Sequence, residues 1–269
     1  MLDLPHSAAL LALGALTGFA AGLMGVGGGM LLVPFLTVLF SAQGFAHEHV
    51  IKMAVATSLA TILFTSVSSV RAHHQRGAVL WHIVRVLAPG ILIGSLAGAQ
   101  VAARLPTVWL AYAFALFIAF SATQMLLDRK PKAQRELPKP PAMFAVGTGI
   151  GLVSSFVGGG GGFVSVPFMV WCNVRIHNAV ATSAALGFPI AVAGTTGYVI
   201  AGWHTPGLPP WSAGYVYLPA LVTVAIASVL TAPLGAHVAH RLPTRLLKRI
   251  FACLLYALAA YMLSKALRG

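Results

Sequence analysis

The sequence predicts an all-α integral membrane protein made of two similar halves with four membrane segments each, about eight in total. Three observations predict this fold. The chain is strongly apolar, its charges lie in short gaps between apolar runs, and its motifs recur in the same order. Of its 269 residues, 58% are apolar and 8% charged, with a mean hydropathy of +0.88. A soluble domain carries about 25% charged residues, and disorder requires low hydrophobicity, so both are excluded.

The charge imbalance is large, with 17 Lys+Arg against 4 Asp+Glu and a formal net charge of +13. In a soluble protein this would suggest nucleic acid. Here the basic residues mostly lie between apolar runs, where they orient membrane spans and contact anionic lipid. We therefore expect the lipid bilayer as a partner and no nucleic acid. The acidic residues lie at the N-terminus or in gaps, at Asp3, Glu48, Asp128 and Glu136.

Cysteine and histidine spacing predicts neither a metal site nor a cofactor. The two cysteines, Cys172 and Cys253, are far apart in sequence, and no His/Cys cluster has zinc spacing. The N-terminus lacks a basic region before its first apolar run, so we expect this run to be retained as the first segment.

Two halves of the chain share three anchors in one order. GGGMLLVPFL at 27–36 matches GGGFVSVPFM at 160–169, AVATS occurs at 54–58 and 179–183, and GAQVAARLPT at 98–107 matches GAHVAHRLPT at 235–244. This organisation predicts a single transmembrane domain over 1–269. Repeat one covers 1–127, a charged, proline-rich linker covers 128–141, and repeat two covers 142–269. RLPT is typical of a helix end, with Arg104 or Arg241 in the last turn and proline just beyond.

Each half begins with an apolar segment that is too long for one simple span and is interrupted by glycines. The interruptions read GLMGVGGG at 22–29 and SFVGGGGG at 155–162. A glycine costs about 1 kcal/mol relative to alanine inside a helix, so these runs break it. Pro34 and Pro167 then mark the start of a short helix. Each first segment is therefore either a kinked span or a re-entrant hairpin of two half-helices.

The basic residues favour the hairpin. In that arrangement Lys52, Arg104, Lys265 and Arg268 lie on one side and the other thirteen on the opposite side. With full spans the division would be ten to seven. Positive-inside bias favours the more uneven division. The hairpin also makes the halves inverted repeats, which is a common plan of transporters.

The interruptions predict a binding site for an anion. A helix that restarts after glycine presents free N–H groups and the positive end of its dipole. Close helix packing through small residues is the alternative. Both AVATS motifs add hydroxyl groups that can donate to sulfonate or sulfite oxygens, although such hydroxyls often bond to their own helix. A cation just outside each motif, at Lys52 and at the matching His177, could draw anions in or serve in gating or proton linkage.

The motifs GLMGVGGGMLLVPFL and GGGGGFVSVPFM, the paired AVATS and the loop HHQRGAVLW together resemble the TauE/SafE family of sulfite exporters, also called 4-toluene sulfonate uptake permeases. The resemblance covers nearly the whole chain. It implies a secondary transporter of a small, usually sulfur-containing anion. Carried over position by position, it implies a substrate site made of Gly27, Gly28, Gly29, Thr57, Ser58, Gly160, Gly161, Gly162, Thr182 and Ser183.

The predicted function is alternating-access transport of sulfite or an organosulfonate between the paired half-helix N-termini, in the inner membrane of a bacterium. A cation carrier would place Asp or Glu in its spans, and this chain has none there. Coupling by a histidine relay, facilitated flux and exchange all stay open, as does a homo-oligomer. An anion channel or a carrier of a non-sulfur organic anion is the alternative. An enzyme is disfavoured, because no catalytic motif is present.

Overall fold

The fold is all-α in a computed structural model that describes residues 4–24, 29–127, 136–239 and 244–268. Within those residues there are ten α-helices and one two-stranded hairpin. The helices are α1 (Leu4–Met24), α2 (Gly29–Ala42), α3 (His47–Gln75), α4 (Trp81–Arg104), α5 (Thr107–Leu127), α6 (Pro140–Val157), α7 (Gly162–Trp171), α8 (Ile176–Gly202), α9 (Leu218–Ala239) and α10 (Thr244–Arg268). The strands are β1 (Ser212–Ala213) and β2 (Val216–Tyr217).

The helices have the length and composition of a multi-pass membrane protein. Among the described residues, α3, α4, α5, α6 and α8 are long and apolar enough to cross a bilayer. By contrast, α2 has 14 residues and α7 has 10. At about 1.5 Å of rise per residue, neither reaches across a hydrocarbon layer of about 30 Å.

Both glycine-interrupted segments divide into two helices, but their arms are unequal. The first arms, α1 with 21 residues and α6 with 18, are longer than the half-helices expected. Pro34 and Pro167 each lie at the sixth residue of the short second arm, inside the helix and not at its start. The RLPT prediction is confirmed for the first copy, since α4 ends at Arg104. Arg241 lies outside the described residues.

Contacts across the bundle fix the direction of the helices. Thr107 Oγ1 donates to the carbonyl of Glu48, so α3 and α5 begin on one side, which we call the first face. The N–H of Leu80 donates to Thr182 Oγ1 at 3.0 Å, so α4 and α8 begin together on the opposite side, the second face. Gln100 Nε2 donates to the carbonyl of Gly197 at 2.8 Å, which keeps α4 and α8 parallel.

The interrupted segments return to the faces from which they start. Gly90, Gly94 and Gly98 of α4 lie against Phe144, Thr148 and Leu152 of α6, so these helices are parallel and α6 begins on the second face. Similarly, Gly14 and Gly18 of α1 lie against Val224 and Ser228 of α9, so α1 begins on the first face with α9. Small residues at these interfaces let the helix backbones approach closely.

The chain connections complete the two hairpins. Helix α2 leads into α3 on the first face, and α7 leads into α8 on the second. The first hairpin (α1–α2) and the second hairpin (α6–α7) are therefore oppositely directed, as the inverted-repeat hypothesis expects. The repeat itself, the domain limits and the number of membrane segments stay predictions.

Helices α3 and α8 run through the centre, where they pack against each other. The middle of α3 is almost closed to solvent, with Met53 through Leu59 fully buried. The AVATS motifs lie in these two helices, which places their hydroxyl groups in the core.

Candidate functional site

The two glycine interruptions meet at the centre of the bundle. Gly29, the first residue of α2, lies against the second interruption, and a Cβ built there would be 2.5 Å from the carbonyl oxygen of Gly158 and 3.2 Å from Gly159 Cα. Only glycine permits this approach without a shift of the backbone. Gly27 and Gly28 lie outside the described residues.

Ser58 connects the two interruptions. Its side chain is fully buried. Its hydroxyl donates to the carbonyl of Gly158 at 2.8 Å and also lies 3.4 Å from the carbonyl of Gly29. Because a hydroxyl has one proton, the shorter contact to Gly158 is the main one. Ser58 therefore holds the start of α2 against the end of α6.

Left-handed backbone at two glycines shapes the second interruption. Gly158 has φ +66° and Gly161 has φ +73°, and Gly161 is the N-cap of α7. The carbonyl of Gly161 accepts from Val164 and Ser165 at 3.0 and 2.9 Å. Among the described residues, no backbone carbonyl accepts the N–H groups of residues 160–163.

Gly160 and Gly161 are partly exposed. The start of α7 and the two residues before it thus offer four N–H donors that no described backbone carbonyl accepts, together with the positive end of a helix dipole, in a turn of the kind that binds anions.

The second AVATS serine lies beside the first turns of α7. Ser183 Oγ is 2.7 Å from Ser165 Oγ, and one of these two hydroxyls donates to the other. The structure therefore brings together Gly29, Ser58, Gly160, Gly161, Gly162 and Ser183 around the start of α7.

The AVATS threonines contact the starts of other helices. Thr57 Oγ1 accepts the N–H of Tyr217, just before α9, at 3.1 Å. Thr182 Oγ1 accepts the N–H of Leu80, just before α4. Each threonine thereby satisfies a backbone donor at the start of a helix from the other half. Contact of either threonine with a substrate stays a prediction.

Lys52 and His177 lie on opposite faces. Lys52 is half-buried near the first face, with Nζ 5.9 Å from the centre of the Tyr215 ring. His177 is exposed at the start of α8 on the second face. Lys52 is six residues before Ser58, which corresponds to about 9 Å along the helix. Lys52 and His177 flank the central site and are not part of it.

A second layer of hydroxyl groups, not singled out from the sequence, supports the site. The hydroxyl of Tyr198, a fully buried residue, donates to the carbonyl of Ser155 at 3.1 Å. Ser155 Oγ donates to the carbonyl of Ser95 at 2.8 Å. A Cβ built on Gly161 would lie 3.0 Å from Ser154 Oγ. The signal in the sequence is the serine pair of SSFVGGGGG, directly before the glycine run.

Gly187 of α8 faces the second interruption, and its surroundings are less tightly packed than those of Gly29. A Cβ built there would lie 3.7 Å from the carbonyl oxygen of Gly160 and 3.8 Å from Ser66 Cβ, which are ordinary contact distances.

The surroundings of the site carry no negative side chain in the described part of the chain. Glu48 and Glu136 are exposed, and no buried Asp or Glu occurs there. No group of three metal-ligating side chains occurs in the described residues either. Burial raises the pKa of the Tyr217 phenol above its usual value, so this side chain also remains neutral. The arrangement offers neutral donors and a helix dipole.

Comparison with known proteins identifies the family. The family model described as sulfite exporter TauE/SafE matches residues 10–262. The chain belongs to the sulfite exporter TauE/SafE family.

Relatives of this TauE/SafE protein are named as transporters. A "Probable membrane transporter protein" of Haemophilus influenzae is 36% identical over 257 residues, which are 95% of this chain and 97% of that one. A "Probable membrane transporter protein YdhB" of Bacillus subtilis is 28% identical over 87% of this chain and 90% of its own. No solved structure gives a significant match to the chain. The protein is thus a multi-pass membrane transporter.

Proposed function

We propose that this TauE/SafE protein is a secondary transporter of a small sulfur-containing anion, such as sulfite or an organosulfonate. The anion binds at the start of α7, between the two interruptions, and is moved by alternating access. The observation that carries this proposal is the run of N–H groups at residues 160–163, which no described backbone carbonyl accepts. This run directly follows Gly158 and Gly159, the residues that pack against Gly29.

The chemistry of the site supports an anion of this size. Backbone N–H groups and serine hydroxyls donate to oxyanion oxygens without bringing a positive side chain into the bilayer. A buried cation would need carboxylates or several carbonyl oxygens directed at it. The N–H groups of Gly161 and Gly162 and the Ser183 hydroxyl give a tetrahedral or pyramidal oxyanion several donors at once.

Two oppositely directed hairpins support alternating access. Each hairpin starts from a different face, turns near the centre and returns to its own face, so a rocking motion of one half against the other can open the site to one face at a time. The substrate would remain on the same backbone donors throughout.

The distribution of basic residues supports an orientation. Arg71, Arg76, Arg85, Lys139 and Arg175 are in or beside the helix ends and connections of the second face. Positive-inside bias makes this the cytoplasmic face, where anionic lipid would contact it. The inner membrane of a bacterium is the location that we propose.

A role as an enzyme is not proposed, because the relatives are named membrane transporters and the site consists of hydrogen-bond donors without a general base. Neither a cofactor nor nucleic acid enters the proposal. A homo-oligomer is compatible with it, since each chain contains both interruptions.

Uptake of radiolabelled sulfite into proteoliposomes tests the proposal. We expect saturable uptake that an unlabelled alkyl sulfonate inhibits competitively. A potassium or sodium gradient alone should not substitute for the sulfite gradient in driving this uptake. Flux that stays linear with concentration would identify a channel instead. No sulfite or sulfonate flux above that of empty liposomes would overturn the substrate class.

A further inference from the structure

An extended connection covers the first face above the start of α3. Residues 203–217 join α8 to α9 and contain the β1–β2 hairpin, in which Ser212 pairs with Tyr217. The equivalent connection in the first half, 76–80, is much shorter. Residues 203–217 therefore cover part of the first face, and we call them the outer hairpin.

Beneath the outer hairpin lies a buried histidine with no hydrogen-bond partner. His49 is 7% exposed. Neither of its ring nitrogens has a hydrogen-bond partner among the described residues. The Tyr215 ring lies 5.9 Å from the His49 ring, and a Cβ built on Gly207 would be 4.0 Å from His49 Nε2.

Two further buried polar atoms without a described partner lie on segments that meet at Tyr217. They are Ser212 Oγ in the outer hairpin and Gln43 Oε1 at the end of α2. Phe45, two residues after Gln43, packs on the Tyr217 ring at 5.2 Å. Buried polar atoms are normally hydrogen-bonded, so the two ring nitrogens of His49 call for a further polar species.

The positively charged side chain of Lys52 lies close to the Tyr215 ring. Lys52 is three residues after His49 and so lies on the same side of α3. Its Nζ is 5.9 Å from the centre of the Tyr215 ring, the ring that also packs on His49. An imidazole and an ammonium group are both donors to an oxyanion.

We propose that His49 and Lys52 form an outer subsite for the same class of small oxyanion, roofed by the outer hairpin and separate from the central site. This inference rests on the proposed function, because it makes the subsite the place where the anion waits before reaching the start of α7.

One group opposes an anion there. The Glu48 carboxylate lies 3.3 Å from His49 Nε2, outside hydrogen-bond geometry, and its side chain is 76% exposed. The Glu48 carboxylate competes with the oxyanion for His49, and its side chain rotates toward the solvent when the oxyanion binds. Within the part of the chain that the structure describes, the charged and titratable groups that contact His49 or its neighbour Tyr215 are Glu48 and Lys52 on its own helix and Tyr215 itself on the outer hairpin. From α5, the uncharged Thr107 contacts Glu48.

This arrangement predicts effects of opposite sign for neighbouring substitutions. Lys52→Met should raise the half-saturation concentration for sulfite by about tenfold, since a focused charge changes local anion concentration by that order. Glu48→Gln should lower it. His49→Gln should also raise it, because the substitution removes the buried imidazole from the subsite.

The test is sulfite uptake by the full chain in proteoliposomes, with each variant compared with wild type at the same pH so that protonation of sulfite cancels. His47→Gln, an exposed histidine two residues away, is the matched control and should change nothing. The proposal is overturned if Lys52→Met and His49→Gln leave half-saturation unchanged, or if Glu48→Gln raises it. Absence of saturable uptake in the wild type would instead overturn the proposed function, so the two failures are distinguishable.

Discussion

The first and second hairpins begin from the same motif, yet they are buried to very different degrees. In α2, Met30 through Val33 are all 4% exposed or less, and Leu36 and Phe40 are fully buried. In α7 only Gly162, Ser165 and Met169 are buried. The same glycine–proline pattern is therefore part of a buried helix, α2, in the first half and of a partly accessible helix, α7, in the second.

The difference indicates a division of labour. Gly29, the first residue of α2, is buried and packs against the backbone of Gly158 and against Ile62. The start of α7 includes partly exposed glycines and unpaired donors. We therefore expect substitutions in the first hairpin to affect stability, and those around the second to affect transport.

Substitution of Gly29 by valine should have the largest effect. The new side chain would collide with the Gly158 carbonyl, which is 2.5 Å from the Cβ position, and backbone cannot move away as a flexible side chain can. We expect little folded protein on size-exclusion chromatography in detergent. A well-folded, active Gly29→Val variant would show that the two interruptions are not packed together.

Substitution of Gly187 by valine should remove transport and keep the fold. A Cβ fits at this position, but the added methyl groups fill the space before the Gly160 carbonyl. Uptake should fall by at least about tenfold, since a steric cost of about 1.4 kcal/mol suffices for that. Thermal stability should stay near that of wild type.

The control for Gly187 is another helical glycine. Gly149 of α6 is exposed, and a Cβ there has nothing within 4 Å. Gly149→Val should transport normally. Equal loss in both variants would mean that the effect comes from the helix and not from the space beside the second interruption.

Thr57→Val and Thr182→Val should destabilise the protein to similar extents. Each removes the acceptor of a buried backbone N–H, that of Tyr217 or Leu80, which costs about 1–3 kcal/mol. A lower melting temperature with unchanged half-saturation for sulfite is expected. A change in half-saturation without loss of stability would instead restore the predicted contact with substrate.

Much of this site is predictable from residue order, because glycine runs break helices wherever they occur. The sequence also places Ser58 and Ser183 near the interruptions. It cannot tell which neighbour a hydroxyl contacts, since adjacent residues of a helix point about 100° apart. Thr57 and Ser58 therefore contact different parts of the fold.

The lengths of α1 and α6 and the pairing in the outer hairpin likewise could not be predicted from the sequence. Apolar length alone does not reveal that α1 and α6 are full-length helices, since their ends depend on packing against α9 and α4. The β1–β2 pairing in 203–217 has only two residues per strand, too short for an alternating pattern to predict.

Ser58→Ala should have the smallest effect among these variants. It removes one hydrogen bond, to the Gly158 carbonyl, which contributes about 1 kcal/mol. Ser183→Ala should cost no more, because Ser165 can donate elsewhere on α7. A chemical denaturation series in detergent measures both. A much larger loss of unfolding free energy for Ser183→Ala than for Ser58→Ala would contradict the assignment of a mainly structural role to the first hairpin.

The central claim is that the start of α7 binds the anion through its backbone. An experimental density map of the protein in lipid nanodiscs with sulfite tests it most directly. We predict density for the oxyanion within hydrogen-bond distance of the N–H groups of residues 161–163 and facing Gly187. Density in another part of the bundle, with this helix start unoccupied, would contradict the account.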